Sequence, residues 1–343
     1  MKRFTLSRLH ASLGLAVAAA TVTTALTAAA ETSPKLFMAA AFTKAQQNSS
    51  IPTDAGVFVR AASGEWHSFG PKIQAVNSAA VDPADDSRIF LACGNGIVRS
   101  LDGGRSWRMV TDWRISDVYE IEIDPTDGDT VYAATGWGPW RSRDGGETWT
   151  FVDTGLPEHF TRSFALDPAH PQRLLLGNAS GLYLSTDGAD SWHRVEAVPA
   201  RNILRVRHGA PDSGVWLVGT EGTGAWLSTD DGKSWHQVAP QLADANLYAV
   251  AVDPTDANTL AVGGWDVGVW VSRDGGKTWA QTNDGLPSPN VLTLTFHPEK
   301  SGVLWTGTFE EGVVWNDLND AAGWQDGGVD GALTNDLGFL PLP

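Results

Sequence analysis

Four Gly-rich stretches of the sequence carry aromatic residues, the last three of them with carboxylates: ATGWGPW (134–140), GTEGTGAW (219–226), GGWDVGVW (263–270) and GTFEEGVVW (307–315). A ring can stack on the C–H face of a pyranose while a carboxylate accepts from its hydroxyls, so these residue types suit a sugar cleft. Hydrolysis would also require two carboxylates, about 5–5.5 Å apart for retention or about 6.5–9.5 Å for inversion. Asp266 with Glu221 or Glu310 could supply that pair. A second set of segments, TDWRISDVY (111–119), DTGLPEHFTR (153–162), PARNIL (199–204), NDGLPSPN (283–290) and QDGGVDGALTND (325–336), adds cationic and aromatic groups. The candidate ligand-binding residues are therefore Trp113, Arg114, Trp137, Arg162, Arg201, Trp265, Phe309 and Glu311. Two plainer readings compete with this one: Trp137 and Trp265 could pack at strand starts, and exposed carboxylates are common in an acidic chain.

The elements that must position these residues are set by a repeat. SLDGGRSW (100–107), SRDGGETW (142–149), STDGADSW (185–192), STDDGKSW (228–235) and SRDGGKTW (272–279) share Ser-x-Asp-x-Gly/Ala-x-Ser/Thr-Trp. With two eroded relatives, the tryptophans fall at 66, 107, 149, 192, 235, 279 and 324, spaced 41, 42, 43, 43, 44 and 45 residues apart. That period suits a four-stranded propeller blade. Before each box runs a strand, a Pro/Asp turn, a second strand, a Gly-rich turn and a third strand, as in AVDPTDANTLAVGGWDVGVWVS. Asp and Gly supply turn chemistry, Ser/Thr and Asp can bond local backbone, and Trp buries apolar surface between blades. Asp102, Trp107, Asp144, Trp149, Asp187, Trp192, Asp230, Trp235, Asp274 and Trp279 are on this reading structural.

This box resembles the Asp-box repeat of sialidase-type β-propellers, which include microbial sialidases, xyloglucanases, sortilin-type receptors and the photosystem II assembly factor. The resemblance covers residues 55–343 and implies that the boxes lie on the face opposite the ligand site. It would also lead one to expect a Phe/Tyr-Arg-Ile-Pro-type motif before the first box, an arginine triad and a Tyr/Glu nucleophile pair. VFVRAAS with Arg60 stands where the motif would be. Arg114, Arg162 and Arg201 or Arg205 could form a basic cluster, and Tyr119 and Tyr248 sit at the top of first strands without an evident partner. Xyloglucanases of this family use two propellers facing across a cleft, and this chain has length for one.

The fold expected is all-β: a seven-bladed propeller over residues 55–343, closed by pairing of an N-terminal half-blade (56–70) with a C-terminal strand, which removes exposed edges. A six-bladed ring would leave an eroded end unit outside. In the first strands, one column (Ala79, Ile121, Phe164, Val206, Val250, Leu294, Leu337) and another two places on (Val81, Ile123, Leu166, His208, Val252, Phe296, Phe339) are apolar and should pack between blades. His208 is thereby expected as a core histidine rather than a base. The intervening columns should line the tunnel and carry Glu120, Glu122, Arg205, Arg207 and Asp336. Their opposite charges are expected to face each other across a water-filled channel, either as a charged ligand site or as an ion-pair network.

Residues 1–30 read as a basic, apolar, then small-residue secretory signal ending near Ala30, and 31–54 as a linker. Loss of Lys2, Arg3 and Arg8 with no acidic residue takes the formal charge from −16 to −19. Such a surface argues against nucleic acid and anionic membrane as partners. The single cysteine, Cys93, cannot form an intramolecular disulfide. No metal or cofactor is expected, since the box aspartates read as structural and the Gly-rich turns lead into strands rather than helices. The sequence thus points to an exported monomer, periplasmic or extracellular. It either recognises a glycan, as a glycoside hydrolase-like protein, or serves as a non-enzymatic scaffold or assembly factor for another exported protein.

Overall fold

The computed structural model describes residues 34–43, 55–73, 75–309, 311–329 and 331–342. The expected signal, much of the expected linker and the carboxylate candidate Glu310 lie outside the described residues. Seven four-stranded antiparallel sheets form a seven-bladed β-propeller. Blade 2 spans Val76 to Met109, blade 3 Val118 to Phe151, blade 4 Thr161 to Arg194, blade 5 Ile203 to Val238, blade 6 Ala249 to Gln281 and blade 7 Val291 to Asp326. Among the described residues the one helical element is a single 3-10 turn, Pro240–Leu242, and no helix is long and apolar enough to cross a membrane.

Blade 1 joins the two ends of the chain, as the sequence suggested, but with one N-terminal strand more than expected. Its order is Ala332–Leu340, Lys35–Thr43, Gly56–Arg60, Trp66–Phe69. The strand Lys35–Thr43 lies within the expected linker, so the propeller starts upstream of residue 55 and takes three strands from one end and one from the other. KLFMAAAFT has no box or turn signal beside it, and its apolar run is buried on both faces from Leu36 to Ala40. It pairs Phe37 with Gly338 and with Val59, so no blade keeps an unpaired inner edge there.

The core is divided among the seams. Seven apolar clusters each draw on two adjacent blades, as where Phe90 and Ile97 of blade 2 meet Ile121 and Val131 of blade 3. The inward columns read from sequence lie in these seams; Ile121, Phe164, Val206 and Val250 are all within 2% of complete burial. His208 belongs there too. Its ring sits 4.3 Å from Trp216, Nδ1 lies 2.8 Å from the Gly209 carbonyl, and burial holds its pKa below the ordinary range.

The boxes are closed local networks. In the first, Ser100 Oγ donates to Asp102 (2.8 Å) and accepts from Gly104 N–H (2.8 Å), while Asp102 accepts from Ser106 N–H (2.8 Å) and Ser106 Oγ (2.6 Å). Asp144, Asp187, Asp230 and Asp274 repeat it. The box tryptophans diverge in a way the sequence explains. Trp107, Trp235 and Trp279 donate to the glycine carbonyl three residues back. Trp192 and Trp324 instead donate to Val152 and Thr282 of the preceding segment. Those two segments contain the GLP sequences at 155–157 and 285–287. Gly155 and Gly285 have positive φ, and a Cβ would lie 2.2 and 2.8 Å from the carbonyl oxygens of Trp192 and Trp324. These segments thus wrap the next blade's tryptophan, a packing duty that the loop reading of DTGLPEHFTR and NDGLPSPN overlooked.

Candidate functional site

Antiparallel alternation puts the Pro/Asp turns and the boxes on one face of the ring and the second-to-third-strand turns and interblade entries on the other. The aromatic candidates lie on the latter face. Trp113 is 85% exposed, Trp137 61% and Trp265 47%. Trp137 and Trp265 are therefore not strand-start packing residues. Trp265 and Phe309, from neighbouring blades, meet edge to face at 5.1 Å. Asn290 ties the two turns together: its side-chain oxygen accepts from Asp266 N–H (2.9 Å) and its carbonyl from Phe309 N–H (2.9 Å). Sequence reasoning passed over Asn290, although its place between two prolines and a first strand marks a fixed turn.

The carboxylate candidates are held separately. Glu221 accepts from Asn202 Nδ2 at 3.0 Å, whereas Asp266 sits at φ 62° on a turn fixed by Asn290. Among the described residues no hydrogen bond or ion pair joins them. Arg114 is bidentate with Asp112, two residues away, and Arg201 is exposed. His159 leans on Phe151 and lies 3.2 Å from Asp153, closing its own loop.

At the ring axis, the first-strand starts form a small cavity of about 250 Å³ with Asn77, Tyr119, Arg162, Arg205, Tyr248 and Asn335 in its wall. The Arg162 guanidinium lies over Tyr119 at 6.0 Å and Tyr248 at 5.7 Å, and no carboxylate pairs with it among the described residues. Both asparagines are anchored through Nδ2, Asn77 to the Val118 carbonyl (2.8 Å) and Asn335 to that of Val76 (2.9 Å). The mouth is therefore a fixed ring of polar groups about one uncommitted cation. The tyrosines were visible at the tops of first strands; the asparagines were not singled out.

Below it Glu120, Arg205 and Arg207 meet in direct contact rather than facing one another across water, and beyond them the axis opens into a cavity of about 450 Å³ with Glu122, Arg207 and Asp336 in its wall. Glu120 lies 2.6 Å from Arg207 and 3.3 Å from Arg205, two blades away. Its other oxygen accepts from Ser163 Oγ (2.6 Å) and Phe164 N–H (2.8 Å), and Ser163 Oγ in turn accepts from Val206 N–H (3.0 Å). Burial would push the Glu120 carboxyl up, but Arg207, Arg205 and Ser163 hold it below the ordinary carboxylate range. Burial and the Glu120 charge push Glu122 up to about 8, against the pull of Arg207. Asp336 is also raised by burial, opposed by Arg205 and Arg207. Among the described residues no group of three or more His, Cys, Asp or Glu is placed to hold a metal ion.

Comparison with known proteins places the fold. The family model described as "Sortilin, neurotensin receptor 3" matches residues 223–322. No match to a curated protein was found. Among solved structures, the GH74 xyloglucanase from Xanthomonas campestris is 21% identical over 83% of this chain and 51% of its own, with a TM-score of 0.64. A GH74 enzyme of Niastella koreensis is 18% identical over 82% of this chain and 50% of its own, with a TM-score of 0.66. YCF48 bound to D1 peptide is 16% identical over 78% of this chain and 88% of its own, with a TM-score of 0.59. The chain spans about half the length of these GH74 enzymes. It resembles the Asp-box propellers in both its boxes and its ring. At these identities the likeness to solved structures speaks for the fold alone.

Proposed function

We propose that this protein is an exported binding propeller that receives an extended segment of another protein across the face opposite its boxes, with Arg162 as the polar anchor. The observation that carries this is the tunnel mouth: a cation held between two tyrosine faces, without a carboxylate partner among the described residues, ringed by fixed amide groups. A guanidinium in that setting seeks carbonyl or carboxylate oxygens, and the tyrosine and exposed tryptophan rings around it give side chains apolar surface to cover. The cavity is too small to enclose a drug-sized molecule, which suits a partner that lies across the rim and inserts one group. The Glu120–Arg205–Arg207 ion pairs below it keep that group near the rim. A similar architecture serves peptide binding in YCF48.

The test is selection of binders to the full chain from a display library of random extended peptides, with Arg162→Ala/Tyr248→Ala as counter-selection. Peptides retained by the parent and lost by the folded double variant support the reading. A second reading, glycan recognition, draws on the Trp265–Phe309 pair beside Asp266. Binding on a glycan array that Trp265→Ala/Asp266→Ala abolishes, with no peptide selected, would replace the first reading by the second.

A further inference from the structure

A cavity of about 800 Å³ is neither in the tunnel nor on the rim proposed above. It lies in the seam between blades 7 and 1, at the level of the boxes. Its origin is the ring closure. In the other blades this level is filled by a Pro/Asp turn and a box. In blade 1 the first and second strands come from opposite ends of the chain, with Lys35 beside Leu340 and no hairpin between them. The third-to-fourth-strand turn is the short Ala61–Glu65, without the Asp and Ser/Thr network. The seam therefore opens where two plugs are missing.

The wall has a consistent chemistry. Trp305 and Trp315 stack at 5.9 Å, and the Arg60 guanidinium lies over Trp305 at 5.1 Å. Across the cavity, His297 and Phe339 form a second ring pair at 4.8 Å. Trp305 is buried, and its indole N–H has no acceptor; the Arg60 Nε–H is likewise buried without one. Lys300 stands exposed at the entrance. Asp317, the one carboxylate in the wall, accepts from Asn319 N–H at 3.0 Å. His297 Nδ1 accepts from Glu299 N–H (3.1 Å), and burial keeps the ring's pKa low, so its other nitrogen carries the proton as a donor near neutral pH. A guanidinium and an ammonium thus converge on an aromatic cleft within a protein that is strongly acidic overall. Other unpaired indoles occur, at Trp140, Trp149 and Trp216.

We infer that this seam is a binding site for a small organic anion with a flat aromatic body, the ring lying between the Trp305–Trp315 stack and Phe339 and the anionic oxygens accepting from the Arg60 guanidinium and Lys300. The volume falls in the range of small-molecule sites, and a guanidinium and an ammonium beside stacked rings suit an anion carried on an aromatic body. This site is independent of the rim and of whatever the rim binds.

The experiment is titration calorimetry of the full chain with 1-naphthoate, with 1-naphthalenemethanol as the same ring without the charge, and with acetate as the charge without the ring. Naphthoate is expected to bind at least about tenfold more tightly than the alcohol, since charge-assisted hydrogen bonds are at stake, and acetate not detectably. Lys300→Gln, at an exposed position that folding tolerates, and Arg60→Gln should each weaken naphthoate about tenfold. Trp265→Ala, on the other face, should leave it unchanged. Thermal melts of each variant establish that it is folded; if Arg60→Gln is not, Lys300→Gln decides. No naphthoate binding at millimolar concentration, equal binding of the alcohol, or indifference to Lys300→Gln overturns the assignment.

Discussion

Glu122→Gln isolates the cost of a charge in the tunnel. The Glu122 carboxyl is half-buried at the box-side end of the axis, above the ordinary 4.5 at about 8, because burial and then the negative charge of Glu120 disfavour its ionised form. The folded protein thus holds this proton more tightly than the unfolded chain does. The group's contribution to stability is complete below about pH 4.5 and is lost as pH rises toward 8. A shift of that size costs at most about 5 kcal/mol once both states are ionised. Water reaching a half-buried group screens part of it, and about 2 kcal/mol is expected. Glutamine keeps the volume and polarity of the protonated acid without the titration. The variant should match the parent within about 0.5 kcal/mol at pH 5 and exceed it by about 2 kcal/mol at pH 8.5. Urea melts of both proteins at the two pH values supply the double difference, in which every other titration cancels. A difference that stays flat from pH 5 to 8.5 would refute the argument, and a Glu122 carbon resonance titrating near 4.5 would do so directly.

The boxes act with the opposite sign. The aspartates 102, 144, 187, 230 and 274 are each held at about 2, chiefly by hydrogen bonds from the box Ser/Thr. Their stabilisation is complete above pH 3.8 and is lost as pH falls toward 2, so unfolding near pH 3 should take up about four protons, read from the slope of stability against pH. Asp144→Asn should flatten that slope by about one fifth. Glu120→Ala leaves Arg205 and Arg207 buried without their carboxylate and is expected to cost about 3–5 kcal/mol, a fall in Tm of at least about 6 °C by calorimetry. Gly155→Ala drives a Cβ into the Trp192 carbonyl at positive φ and should cost about 2 kcal/mol or more. Gly222→Ala, at φ +71° with open space around it, should cost only about 1 kcal/mol in urea melts.

The ring was legible because each of its determinants is local and repeated. A box fixes a turn through hydrogen bonds spanning four residues, and the spacing of its tryptophans counts blades without any knowledge of long-range contacts. The strand Lys35–Thr43 was not legible for the complementary reason. Its partners are Leu337 and Val59, one of them some three hundred residues away, and its sequence carries no turn to announce a hairpin. The tunnel residues could be placed on the axis from strand alternation alone, but not in contact. Whether Glu120 reaches Arg207 depends on the bore of a seven-bladed ring and on Ser163 turning the carboxylate, which no periodicity encodes. Arg162 could be selected as a basic residue of an entry loop, whereas its seat between Tyr119 and Tyr248 joins three blades and emerges only when the ring closes.

The same distinction separates the regions of the molecule that can bind from those that cannot. Where the repeat is intact, the first Ser and the central Asp of a box are spent on its own turn, and Arg99 and Arg141 reach from one blade to donate to Gly145 and Gly188 in the box of the next. Such groups have no free valence for a ligand. Unpaired donors also occur in intact blades, at Trp140, Trp149 and Trp216, but a cation beside aromatic rings at a cavity is found where the repeat lapses: at the axis, where first strands begin outside the box pattern, and in the seam of blade 1, whose box has eroded. Arg162 and Trp305 mark these two places. A propeller built from near-identical blades acquires distinct sites by losing the repeat locally, so in this chain the departures from the consensus, rather than the consensus, are where ligands should be sought.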